Sequence, residues 1–97
     1  AGAMDIRRCL WSEYVVEKIA TKHSLLTDEV EEVLASRPRI RRISRGYLKG
    51  EDVYVAYGRT EAGRYLTVFF IHKQSGDALI MSARDMDEKE RAAFRRK

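Results

Sequence analysis

The sequence predicts an α+β fold: two N-terminal helices packed on a twisted antiparallel sheet, in the order β-α-α-β-β-β-β-α. Three observations predict it. Apolar residues recur at helical spacing in the first third of the chain. From Arg39 onward they fall into short strand-like runs separated by glycine-bearing turns. The length, 97 residues, suits a single compact core. Residues 1–4 read as a tag remnant ahead of Met4, and 5–97 as one domain.

Ile6 to Trp11 can form a short first strand. Ser12 is placed to cap a helix running to about His23, with Val15, Val16, Ile19 and Ala20 on one apolar face. Ser24-Leu25-Leu26 turns the chain, and Thr27 is placed to cap a second helix whose inward residues are Val30, Val33 and Leu34. Pro38 ends it.

The remaining core is β. Arg39 to Arg45 forms a basic strand in which Ile40 and Ile43 have odd separation. A bulge near Arg41-Arg42 would turn both inward. Gly46 and Gly50 bracket the next turn. Val53–Arg59, Tyr65–His72 and Ala78–Arg84 are three further strands, with hairpin tips at Ala62-Gly63 and Ser75-Gly76. Asp87 opens a last helix, and Glu90 three residues on completes a capping box.

Two-residue loops at both tips set a register. One face then carries Val53, Val55, Tyr57, Leu66, Val68, Phe70, Leu79, Met81 and Ala83, and packs on the helices. The other carries Tyr54, Ala56, Gly58, Tyr65, Thr67, Phe69, Ile71, Ile80, Ser82 and Arg84. On it Gly58, Thr67 and Arg84 fall in one row, with a gap at Gly58 where a ligand can approach. Arg64 belongs by parity to the helix side, beside a turn its long side chain can round.

The net charge is +4, and its distribution says more than its size. No acid lies between Glu32 and Glu51, where Arg37, Arg39, Arg41, Arg42, Arg45 and Lys49 cluster. That stretch reads either as a polyanion site or as a solvated edge strand. The longest uncharged apolar run, Tyr65 to Ile71, is too short to span a bilayer. No signal peptide opens the chain, and the single cysteine, Cys9, has no internal partner. Both fit a reducing, cytoplasmic setting. No Cys/His spacing suggests a metal, and no Gly-rich loop suggests a nucleotide; no cofactor is expected.

Several local words resemble one family. They are Ile6-to-Trp11 before a helix, His23 after it, Gly58-Arg59-Thr60-Glu61-Ala62-Gly63-Arg64, and Met81-Ser82-Ala83-Arg84-Asp85-Met86 leading into Lys89-Glu90-Arg91. Together they resemble the BrnT-like branch of the RelE-like toxins of bacterial type II toxin–antitoxin systems. The resemblance implies a metal-independent endoribonuclease that slows growth and is masked by an antitoxin. That antitoxin is usually a ribbon-helix-helix protein, so DNA is met only through the complex. The resemblance favours Arg64 and Arg84 as functional arginines. It also marks departures: Ser24 stands where the family usually has glycine, and Phe94 where it has a late tyrosine.

RNA cleavage requires that a 2′-hydroxyl lose a proton, that the phosphorane charge be held, and that the leaving oxygen be protonated. An arginine fork suits the second role. The candidate catalytic residues are therefore Arg84, Arg64, His23 and Tyr65. The nucleic-acid-binding set is Arg59, Thr67, Lys73, Arg39 and Arg41. Against function, a histidine at a helix end such as His23 is more often a structural residue. Arg84 serves equally as an ion-pair partner of Asp85 or Glu90. The alternatives to a nuclease are an inactive toxin-fold module that binds a protein partner, and a non-catalytic nucleic-acid binder.

Overall fold

A computed structural model describes residues 5–46 and 51–96. The elements follow the expected order: β1 (Cys9–Leu10), α1 (Glu13–His23), α2 (Thr27–Ala35), β2 (Arg39–Ser44), β3 (Val53–Arg59), β4 (Tyr65–His72), β5 (Ala78–Asp85) and α3 (Glu88–Arg96). The tag remnant expected at residues 1–4, and most of the turn expected between Gly46 and Gly50, lie outside the described residues.

The Ser12 hydroxyl accepts from the Val15 N–H at 3.2 Å and starts α1 as expected. The helix ends with Ser24 in the left-handed region, φ 54°, and the Leu25 N–H reaches back to the Ile19 carbonyl. Only Val15 and Ile19 are buried from α1; Val16 is 36% exposed, so the inward stripe is narrower than expected. Thr27 is the first residue of α2, not its cap. The cap position is Leu26, whose N–H is held by the Glu29 carboxylate at 2.9 Å. Val30, Val33 and Leu34 point inward. Both helices lie on one sheet face, α1 against β5 and α2 against β3.

The sheet order is β1-β5-β4-β3-β2. Four strands are antiparallel, but β1 runs parallel to β5, which makes the sheet mixed at that edge. The expected strand Ile6–Trp11 shortens to two residues. The preceding stretch follows the β4–β5 turn instead, through bonds from the Arg7 N–H to the Gly76 carbonyl and from the Ala78 N–H to the Arg8 carbonyl.

The hairpin loops correct the expected register. Thr60 and Arg64 close the first loop, so it holds three residues, with Gly63 at φ 97°. One extra loop residue flips β3. Tyr54, Ala56 and Gly58 turn toward the helices, and Val55, Tyr57 and Arg59 turn away. The row beside Arg84 is thus Tyr57–Thr67–Arg84, without Gly58. Gly58 instead lets α2 approach: a Cβ there would lie 2.7 Å from Val33 Cγ1.

The second loop also holds three residues, with Lys73 paired to Asp77 and Gly76 at φ 95°. A bulge at Met81 then restores the expected pairs Thr67↔Arg84 and Phe69↔Ser82. Between loop and bulge the faces are reversed. Ile80 is 1% exposed and Met81 42%, the opposite of the expected assignment. Lys18 Nζ donates to the Met81 carbonyl at 3.2 Å. In β2 the irregularity lies between Arg42 and Ser44, one step later than expected. Ile40 packs on the core and Ile43 stays 45% exposed.

The core lies between the sheet and α1–α2 and centres on Phe70, Leu66, Val68, Ile80, Ile19, Val30 and Val33. α3 crosses the opposite sheet face and buries no residue of its own. Its start is the expected capping box: the Asp87 carboxylate accepts from the Glu90 N–H at 2.7 Å, and the Glu90 carboxylate accepts from the Asp87 N–H at 3.0 Å. Among the described residues no helix is long and apolar enough to cross a membrane.

Candidate nucleic-acid interface

The sheet face turned away from α1 and α2 gathers cations because of the register. Arg39 pairs with Tyr57, Tyr57 with Thr67, and Thr67 with Arg84. Arg41–Val55–Phe69–Ser82 forms the next row, and Arg59–Tyr65 the row before. α3 lies over part of this face. Between it and β2 runs an open cleft of about 440 Å³, lined by Arg39, Arg41, Tyr57, Lys89, Glu90 and Phe94.

Three guanidiniums sit over aromatic rings. Arg39 lies 5.6 Å from the Phe94 centroid, Arg59 5.6 Å from Tyr65, and Arg84 5.6 Å from Phe69. Tyr65 and Phe94 meet edge to face at 5.9 Å. Among the described residues the six ion pairs leave out Arg39, Arg41, Arg59 and Lys89. A surface of four cations that no carboxylate pairs with among the described residues, floored by aromatic rings, suits phosphates and unstacked bases.

Arg84 is differently placed. Its Nη1 and Nη2 grip Glu90 at 2.8 and 2.9 Å, and Nη1 also donates to the Asp85 carbonyl at 3.1 Å. Glu90 further accepts from the Thr67 hydroxyl at 3.1 Å, and Thr67 is fully buried beneath it. The arginine fork, followed by the Asp87 N–H and the Thr67 hydroxyl, holds the Glu90 carboxyl at about 2. The same pair raises the Arg84 guanidinium. Among the described residues, two of Arg84's five N–H groups have no acceptor.

Arg64 has none to spare. Nε and Nη2 bind the Asp85 carboxylate at 2.7 and 3.0 Å. Nη2 also donates to the His23 carbonyl at 2.7 Å, and Nη1 to the Ser24 carbonyl at 2.9 Å and to Glu29 at 3.5 Å. These contacts satisfy the carbonyl end of α1 and tie it to α2 and β5. The Arg64 bond lowers the Asp85 carboxyl, with burial opposing and the His23 charge adding a smaller push.

The four expected catalytic residues therefore divide. Arg84 and Tyr65 share the cationic face, whereas Arg64 and His23 lie at the helix side. Of the expected binding residues, Arg39, Arg41, Arg59 and Thr67 come together on the cationic face. Thr67 acts there as a buried anchor for Glu90. Lys73 does not join them. It pairs with Glu51 at 2.6 Å, roughly 20 Å along β4 from Thr67 at strand spacing. Sequence reasoning missed Tyr57, Lys89 and Phe94 as cleft residues. A three-residue reading of the loop ending at Gly63 would have turned Tyr57 to this face.

A family profile described as the ribonuclease toxin BrnT of type II toxin–antitoxin systems matches residues 11–90. The crystal structure of the Brucella abortus ribonuclease toxin BrnT is similar to this chain, with a TM-score of 0.60 at 18% identity. The match covers 84% of this chain and 97% of that one. At that identity the likeness is one of fold. No functionally curated sequence matches the chain. The profile runs from Trp11, just after β1, to Glu90, whose carboxylate Arg84 grips, and so takes in both arginine centres. The chain belongs to the BrnT family of ribonuclease toxins of type II toxin–antitoxin systems.

Proposed function

We propose that this chain is the toxin of such a pair and cleaves RNA in the cleft between β2 and α3. The observation that carries the reading is that Arg39, Arg41 and Lys89 line that cleft and, among the described residues, are in no ion pair. Arg39, Arg41 and Lys89 track the phosphate backbone, and the Tyr57 and Phe94 rings take unstacked bases. Arg84, fixed by Glu90, directs its remaining N–H groups at the phosphoryl group where charge develops. Arg64 acts indirectly, by holding the sheet end that carries Arg84. His23 is a structural residue of the α1 terminus. The natural partner is an antitoxin of ribbon-helix-helix type that covers the cationic face in the cytoplasm, with DNA bound only through the complex.

Induced expression should arrest growth, and Arg84→Ala should relieve the arrest. RNA affinity should fall steeply with salt, because each phosphate contact releases a counterion. Unimpaired growth together with no cleavage of RNA in vitro would sink the proposal.

The bidentate Arg84–Glu90 pair favours a second reading, in which the cleft binds but does not cut. In that case the protein co-purifies with an acidic partner or retains RNA, and cleavage is absent from wild type and variants alike.

A further inference from the structure

The groups assigned so far leave both proton transfers without a residue. Arginines hold phosphate charge but do not give up protons near neutral pH. Glu90 is ionised down to about pH 2 and can only accept. His23 lies on the far side of the sheet. Phe94 has no hydroxyl. The Tyr65 ring packs between Arg59 and Phe94, outside the cleft wall. Lys89 sits exposed on the first turn of α3.

Tyr57 differs from all of these. It is half-buried, lines the cleft, and shares a row with Thr67 and Arg84. Thr67 stands between Tyr57 and Arg84 in that row, and the Glu90 carboxylate above it is held by Arg84. Arg39 is its neighbour in the row on β2, and Arg41 lines the same cleft.

We infer that Tyr57 is a catalytic residue, the proton donor to the leaving 5′ oxygen of an RNA lying in the cleft, while Arg84 helps to hold the phosphoryl charge. The inference rests on the ribonuclease reading. The 2′-hydroxyl passes its proton to water as its oxygen bonds to phosphorus. The bond from phosphorus to the 5′ oxygen breaks, and that oxygen takes the Tyr57 proton. The products are a 2′,3′-cyclic phosphate and a 5′-hydroxyl. The phenolate regains a proton from water, so the cycle closes without any other reagent.

The test compares Tyr57→Phe with wild type on two single-stranded RNAs, one ordinary and one with sulfur in place of the bridging 5′ oxygen. A thiolate leaves without being protonated. Tyr57→Phe should cleave ordinary RNA about 100-fold more slowly, the size of effect general-acid removal gives. On the sulfur-bridged RNA it should approach the wild-type rate. The ring is kept, so the melting temperature should stay near wild type. Equal defects on both RNAs, no defect on either, or sulfur rescue of Lys89→Met in place of Tyr57→Phe would overturn the inference. If wild type cleaves neither RNA, the ribonuclease reading itself falls, and the inference with it.

Discussion

Arg64 and Arg84 are the same residue type at the same end of the sheet, yet they sit on opposite faces and are used oppositely. Arg64 lies against the helix layer, and all five of its N–H groups meet acceptors. Arg84 lies on the cationic face, keeps two N–H groups without an acceptor among the described residues, and borders the cleft through Glu90. Both show raised guanidinium values through a carboxylate partner. An ion pair alone therefore does not separate a structural arginine from a functional one. What separates them is whether the remaining donors are taken up by backbone carbonyls, as in Arg64, or have no acceptor among the described residues, as in Arg84.

The largest expected effect is on chemistry. Arg84→Ala should slow RNA cleavage by about 100- to 1,000-fold, or roughly 3–4 kcal/mol of transition-state stabilisation, as loss of one oxyanion donor does elsewhere. Its melting temperature should fall no further than that of Arg64→Ala. A variant that cuts at the wild-type rate would remove Arg84 from the site.

Next is the effect on folding. Arg64→Ala strands two carbonyls at the end of α1 and frees Asp85, and should cost about 2 kcal/mol. For a domain of this size that is roughly a 10 °C fall in melting temperature by calorimetry. An unchanged melting temperature would contradict the clamp.

Acid should dissect the Arg84 centre. The Glu90 carboxyl lies at about 2 in the folded protein and near its ordinary 4.5 when unfolded. A lowered folded value means the contribution is complete above about pH 4.5 and is lost as the pH falls toward 2. Arg84 is partly exposed, so screening trims the contribution to about 1–2 kcal/mol. Glu90→Gln should flatten that part of the acid limb in denaturant melts taken from pH 6 to 2. The paired Asp85–Arg64 carboxyl should leave a residual slope of the same sign.

The smallest effect belongs to Ser24. Its φ of 54° suits glycine, and its contact to Arg64 uses only the backbone carbonyl. Ser24→Gly should therefore stabilise the protein by about 0.5–1 kcal/mol without touching cleavage. A loss of stability would mean that the serine side chain matters at the helix end.

Local signals made much of this legible in the sequence. The element order, the Ser12 cap and the Asp87–Glu90 capping box all depend on residues within a few positions of one another. The Thr67–Arg84 pairing was also anticipated, but through two errors that cancel. The second hairpin loop is one residue longer than expected, and the bulge at Met81 absorbs the difference. In the first hairpin no bulge compensates, so a two-residue loop exchanges the faces of β3 and puts Tyr57 on the helix side, where the structure has Gly58. Glycine at φ near 95° marks both tips, but a two-residue and a three-residue loop share that composition. Bulges add one residue without changing which residue types surround them. The division of the arginines was beyond the sequence for a related reason. Arg64 meets the end of α1, and that contact exists only after helices and sheet have packed.

The most direct measurement is a side-by-side cleavage assay of Arg84→Ala and Arg64→Ala on one single-stranded RNA, below both melting temperatures. The account predicts that wild type cuts, that Arg84→Ala loses about 100-fold or more, and that folded Arg64→Ala stays within about 5-fold of wild type. A folded Arg64→Ala that has lost cleavage beside an Arg84→Ala that has kept it would contradict the account, as would a wild-type protein that cleaves no RNA.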